Sequence, residues 1–244
     1  MLEINKIHLG DSYKLIKEIP DKSIDLIVTD PPYLIESTQG GKTNGLGKSI
    51  TNMNEQLANS TLTKSINIEI LDDFMRVMKK PNIYVWCNHK QIPMYIDYFV
   101  TQNECNFDII IWNKTNATPL FYNKYMTDKE YCLYFRKGGY CNPPNYEHAK
   151  TVYHLPINVN DKKKFKHPTI KPLNIIRNLI ENSSHENDLI LDCFVGSGTT
   201  CVAAKESNRQ FIGIEIDKEF HKIAVDRING ITASGQTSIF TEFG

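Results

Sequence analysis

The chain has 244 residues, enough to bury a core as one domain with a lobe built from insertions. Lys plus Arg and Asp plus Glu number 28 each, so a polyanionic partner must be met by a local basic patch and not by an overall field. No apolar run nears the roughly 20 residues of a membrane span, the N-terminus has no basic-then-apolar leader pattern, and the six cysteines form neither a CxxC nor a Cys/His cluster at zinc spacing; a soluble cytoplasmic protein with reduced, buried thiols and no metal site is expected.

Short runs rich in Ile, Val, Tyr and Phe recur between stretches of helical spacing, which predicts an α/β domain around a largely parallel sheet. The first strand is expected at 7–9 and a helix at 12–19, with "GDS" between them placing Asp11 at a helix N-cap position. The second strand, 26–29, runs directly into "DPPY". Pro31 and Pro32 end the pairing because they lack N–H donors. A turn alone does not explain why an acid, a rigid extended backbone and an aromatic ring all arrive at the carboxyl end of a strand, which is where open α/β sheets bind ligands.

Residues 36–63 are rich in Gly, Asn, Ser, Thr and Lys, contain "GGKTNGLG", and read as a long loop. Next come a helix over 66–78, a strand at 82–86, a helix at 93–101 and strands at 108–112 and 131–136. Two further stretches are irregular. Residues 115–126, "TNATPLFYNKYM", mix aromatic, apolar and Asn/Lys side chains that suit either a wedge in a nucleic-acid groove or a packed loop. Residues 137–166 end in "DKKKFK", which suits either a solvated charge run or phosphate contacts. There is no internal repeat and no domain linker.

After a helix at 173–182, the C-terminal part reads "LILDCFVGSGTTCVAAKESNRQFIGIEID", residues 189–217. A strand at 189–192 leads into Gly196 and Gly198, a helix follows at 199–207, a strand at 211–215 ends in Glu215, and a last helix covers 218–229. Glycines let a backbone approach a ligand closely, and an acid ending the next strand can accept from ribose hydroxyls. This is not the dinucleotide GxGxxG fingerprint, because the third glycine is missing.

"DPPY", "DCFVGSGTT" and "IGIEID", in that order, together with "HLGDSYKLIKEIPDKSIDLIVTDPPY" and "KHPTIKPLNII", resemble the S-adenosyl-methionine-dependent DNA amino-methyltransferases. With DPPY first and the glycine-rich segment last, the order is that of the permuted β class, and the resemblance spans nearly the whole chain. It implies a Rossmann-like α/β fold: a seven-stranded, mostly parallel sheet with helices on both faces, in circularly permuted methyltransferase order. It implies one methyltransferase domain over 1–244, with 34–65 and 115–166 as inserted loops for target recognition. The implied activity is site-specific methylation of adenine N6 in double-stranded DNA. N4-cytosine methylation and a non-catalytic DNA-binding module on the same fold are the alternatives. The resemblance further allows a homodimer and a cognate restriction endonuclease as partners.

By the same resemblance, Asp30 and the carbonyl of Pro31 accept from the target amine, Pro32 helps to fix where those acceptors point, and Tyr33 stacks on the flipped base. Asp192 and Phe194 flank S-adenosyl-methionine, with Gly196, Ser197, Gly198 and Thr199 along its methionine end. Glu215 takes the ribose, and Asp11 the adenine end where it is not simply a helix cap. His167, Thr169 and Lys171 of "HPTIKP" close over the methionine moiety. Cys193 stands where members of the family often carry Pro, and a small thiol suits that place.

Overall fold

In the computed structural model of the protein, the described residues are 2–33, 66–119, 121–123, 125–157 and 170–231. In chain order they form β1 (Lys6–Leu9), α1 (Ser12–Leu15), β2 (Leu26–Thr29), α2 (Ile70–Val77), β3 (Asn82–Cys87), α3 (Ile92–Ile96), β4 (Asn106–Lys114), β5 (Lys129–Arg136), β6 (Val152–Leu155), α4 (Leu173–Ser183), β7 (Leu189–Asp192), α5 (Thr199–Glu206), β8 (Gln210–Glu215) and α6 (Lys218–Ile228). One sheet takes the strands in the order β1-β8-β7-β2-β3-β5-β4-β6. β5 runs antiparallel to both its neighbours, β3 and β4, and the other pairs are parallel.

The sheet has eight strands where seven were expected. The additional one, β6, pairs Val152–Leu155 in parallel with the end of β4, Ile111–Lys114. Four half-exposed residues at a sheet edge carry too short an alternation to stand out in sequence. Within residues 115–166, β5 and β6 both contribute strands to the sheet. The packed-loop alternative for 115–126 fails for Tyr122 and Tyr125, which are 95% and 97% exposed.

Alternation along the central strands explains why β2 and β3 are apolar without a break. Ile27, Ile83 and Val85 face a core closed by α2 and by Tyr95 and Phe99, while Leu26, Val28, Tyr84 and Trp86 face a second core closed by α4 and α5. The helix expected at 12–19 tightens after Leu15 into a 3-10 turn, Ile16–Glu18, because Ile19 must be extended before Pro20. The helix expected from residue 66 begins instead at Ile70, since the Asn67 carboxamide caps the Glu69 N–H at 3.2 Å. Five of the six cysteines are buried and Cys141 is half-buried, all as free thiols.

Gly198 is the residue before α5 and adopts φ 84°. A Cβ there would lie 3.1 Å from both Cα and Cβ of Ala224 on α6, so the missing side chain points at the neighbouring helix and not into the sheet-end cleft. Gly198→Val should therefore lower unfolding free energy by about 3 kcal/mol through left-handed strain and crowding of α6, read as a reduced urea midpoint. An unchanged midpoint would remove this packing role.

Candidate active site

β2 lies between β7 and β3, and the chain passes outward from β2 to β3 and from β7 to β8. The carboxyl ends of β2 and β7 thus meet where the winding reverses, the position at which open α/β sheets form a crevice. There the Thr29 hydroxyl donates to Asp192 Oδ1 at 2.9 Å, joining the segment before DPPY to the segment before the glycines across 163 positions of sequence. The crevice is a cleft of about 430 Å3, with Asp30 and Pro32 on one side and Asp192, Phe194 and Gly196 on the other. That size is within the range of small-molecule sites.

The DPPY side is organised by Lys171, which is 7% exposed. Its ammonium donates to Asp30 Oδ2 at 2.5 Å and to the Tyr33 hydroxyl at 3.1 Å, and it pairs with Glu130 Oε2 at 3.1 Å. It also lies over the rings of Trp86 and Tyr33, 5.2 and 5.3 Å from their centroids. Glu130 Oε1 in turn meets Lys114 at 2.6 Å. Burial alone would push the Lys171 ammonium down, but Asp30 and Glu130 outweigh it and hold its pKa above the ordinary value. Burial would raise Glu130, yet the two lysines bring it down to about 2. Burial, then the charges of Asp30 and Glu130, push the Tyr33 phenol well up, so it stays protonated. Asp30 Oδ1 is buried and has no hydrogen-bond partner among the described residues. A buried acceptor left open in this way costs free energy unless something else comes to donate to it.

The glycine-rich side is built differently. Asp192 accepts the Phe194 N–H at 3.0 Å besides the Thr29 hydroxyl, and burial pushes its carboxyl up to about 7. Glu215 Oε2 accepts from the Gly196 N–H at 2.7 Å and Oε1 from the Asp217 N–H at 2.9 Å, so the acid ending β8 shapes the turn after β7. Burial raises its pKa as well. Behind the turn, the buried Arg227 guanidinium of α6 donates to the Ser197 carbonyl at 3.2 Å and to the Thr199 hydroxyl at 2.9 Å. Asp11 caps α1 by accepting the Tyr13 N–H at 3.0 Å and lines the cleft at the same time, so its two readings are compatible. The Ser12 hydroxyl donates to the Cys193 carbonyl, which ties α1 to the same rim.

The structure brings Asp11, Asp30, Pro32, Lys171, Asp192, Phe194, Gly196, Ser197, Thr199 and Glu215 to one cleft. Tyr33 joins through Lys171, whereas Pro31 and Gly198 do not line the cleft wall. His167 and Thr169, like the basic run at 161–166, lie outside the described residues. Lys171, expected to close over the methionine moiety, lines the same cleft and pairs with the DPPY acid. Glu130, Trp86 and Arg227 were not anticipated. Glu130 had a signal, being the one acid in "KEYCLYFR", a strand otherwise aromatic and apolar between basic ends; Arg227, on the inner face of an ordinary amphipathic helix, had none. Among the described residues no helix is long and apolar enough to cross a membrane.

A family model described as DNA methylase matches residues 24–226. The type II methyltransferase M2.LlaDCHI of Lactococcus lactis subsp. cremoris is 34% identical, with 90% of this chain and 87% of that protein covered. The type II methyltransferase M2.DpnII of Streptococcus pneumoniae is 32% identical over the same shares of each chain, 90% and 87%. Among solved structures, the M1.HpyAVI–SAM complex superposes with a TM-score of 0.66 at 27% identity, covering 92% of this chain and 98% of that one.

The ion-paired half of the cleft makes a stability prediction with a defined pH dependence. Glu130, held at about 2, contributes stability that is complete above the ordinary carboxylate value of 4.5 and is lost as pH falls toward 2. Lys171→Met leaves Asp30 without its cation and Glu130 with Lys114 alone, and should cost about 3 kcal/mol near pH 7. The deficit should shrink as pH falls below about 5, because protonation removes the charges left unpaired. Denaturant unfolding of both proteins across that range checks it, and a deficit independent of pH would assign the loss to packing.

Proposed function

The chain belongs to the DNA methylase family of S-adenosyl-methionine-dependent amino-methyltransferases, and on that footing we propose that it methylates N6 of a flipped adenine in double-stranded DNA. S-adenosyl-methionine supplies a methyl group activated by a sulfonium. The residues present suit it: a turn with Gly196 at the cleft wall, Glu215 at the end of β8 and Asp11 at the rim, in a cleft of about 430 Å3. In this reading Asp192 and Phe194 flank the donor and Ser197 and Thr199 line its methionine end, held from behind by Arg227.

An exocyclic aromatic amine is a poor nucleophile because its lone pair is delocalised into the ring. It becomes competent when two acceptors hold its N–H bonds and turn the lone pair towards the methyl group. The observation that carries the assignment is the division of labour at Asp30: Oδ2 is fixed by Lys171, and Oδ1 is buried with no donor. That open oxygen is the acceptor for one N–H, with the Pro31 carbonyl as the second. Pro31 and Pro32 restrict the backbone that aims them, and Gln91 steadies the loop by donating to the Pro32 carbonyl at 3.3 Å. Once nitrogen has taken the methyl group it carries a positive charge and must lose a proton, and Asp30 Oδ1 is placed to receive it. Tyr33, neutral and fixed by Lys171, offers a ring for the extruded base.

The preference for adenine rests on the DPPY form of the motif and on the larger stacking area that a purine offers Tyr33. Digesting methylated DNA to nucleosides and separating them by mass should yield N6-methyladenosine as the deoxynucleoside; N4-methylcytosine as the sole product would overturn adenine and leave the site mechanism standing. Asp30→Ala should reduce kcat by roughly 100-fold or more. Lys171 keeps Glu130 as its counter-ion in that variant, so folding should persist, and kcat is read at saturating S-adenosyl-methionine. A kcat within about tenfold of the parent would remove Asp30 from the chemistry.

A further inference from the structure

The side chains of Lys114, Glu130, Lys171 and Asp30 form a linked chain of alternating charge, with contacts of 2.6, 3.1 and 2.5 Å. Two cations and two anions make it neutral as a whole. At its inner end it borders the cleft through Lys171 and Asp30. Taking the cleft as the site of S-adenosyl-methionine, we propose that Glu130 is a positioning residue that keeps this half of the site neutral, so that a cationic sulfonium can be held beside the buried ammonium of Lys171.

The physical need is direct. A buried ammonium in a weakly screened cleft repels a second cation, and the methyl donor brings one. Asp30 cannot meet that need alone, because Oδ2 is committed to Lys171 and the acid's remaining charge is required where nitrogen becomes cationic. Glu130 pairs with Lys171 from β5 while Asp30 Oδ1 keeps no hydrogen-bond partner among the described residues, so Glu130 supplies a second anion without occupying that acceptor. Its depressed pKa keeps it ionised throughout the neutral range. Lys114 at the end of β4 sets the balance in the opposite direction, and its ammonium lies 5.3 Å from the Trp112 ring centroid. A merely structural ion pair tying β5 to residue 171 would serve any ligand equally. The charge balance instead distinguishes ligands by the charge on sulfur.

Calorimetric titration of the full chain with S-adenosyl-methionine and with S-adenosyl-homocysteine separates these roles, because the two share adenosine, amino and carboxylate groups and differ in the charged methylsulfonium. Glu130→Gln keeps the side-chain shape and leaves the chain at one net positive charge. It should weaken S-adenosyl-methionine by about tenfold and S-adenosyl-homocysteine by less than about threefold. The double variant Glu130→Gln with Lys114→Met restores neutrality and should return the affinity ratio to that of the parent. Lys114→Met alone, which retains Glu130, should shift the ratio towards the sulfonium, so the proposal stays falsifiable if Glu130→Gln does not fold. A parent that binds both ligands, with variants that weaken both equally, overturns the proposal and spares the cleft assignment. A parent that binds neither overturns both.

Discussion

The pairing of β2 with β7 is the constraint on which the site depends. Leu26 and Ile27 align with Ile190 and Leu191, so the first residues past each strand, Asp30 and Cys193, emerge at the same edge of the sheet. The two strands are buried from above and below by apolar cores, and a slip of one residue would send Ile27 and Leu191 to the wrong face. Hydrophobic register thus sets the alignment of polar groups that have no strong mutual attraction of their own. The Thr29–Asp192 hydrogen bond follows from that alignment and marks where the two halves of the cleft meet.

Those halves are electrostatically unlike. On the glycine-rich side, burial raises Asp192 and Glu215 towards neutrality and their oxygens are occupied largely by N–H and hydroxyl donors. Such acids are suited to exchange hydrogen bonds with the amino and hydroxyl groups of a nucleoside-like ligand. On the DPPY side, full charges are retained by mutual pairing, and Lys171 is the shared centre. Methyl transfer from sulfonium to amine moves a positive charge from one side of the cleft to the other, and the retained negative charges stand on the receiving side.

Rigidity comes from behind the cleft as much as from its walls. Arg227 grips the turn through Ser197 and Thr199, Gly198 lets α5 and α6 approach, and Gly213 lets β8 lie against Val195 and Cys201, where a Cβ would come within 2.8 and 2.9 Å. A turn held on both flanks presents a fixed wall to a ligand with little rearrangement, which is the property a preorganised site needs.

Sequence alone was enough for the α/β class, seven of the eight strands, the approximate helices and the two motif clusters, because each rests on a local regularity: an unbroken apolar run, a helical period, a glycine before a helix, prolines after a strand. It also singled out Asp30, Asp192 and Glu215, which the fold brings to one cleft. Tertiary structure decided what local pattern cannot hold. Lys171 meets both Asp30 and Glu130 because a buried ammonium settles where two carboxylates converge, and those lie 100 residues apart in sequence, just past β2 and in β5. β6 needed the free edge of β4 to be a strand at all. That Gly198 also lets α6 approach is invisible in sequence, since a φ of 84° and the position of Ala224 are properties of packing. Charge balance among Lys114, Glu130, Lys171 and Asp30 exists only once the sheet has gathered them, for a Coulomb energy depends on distance through space and not along the chain.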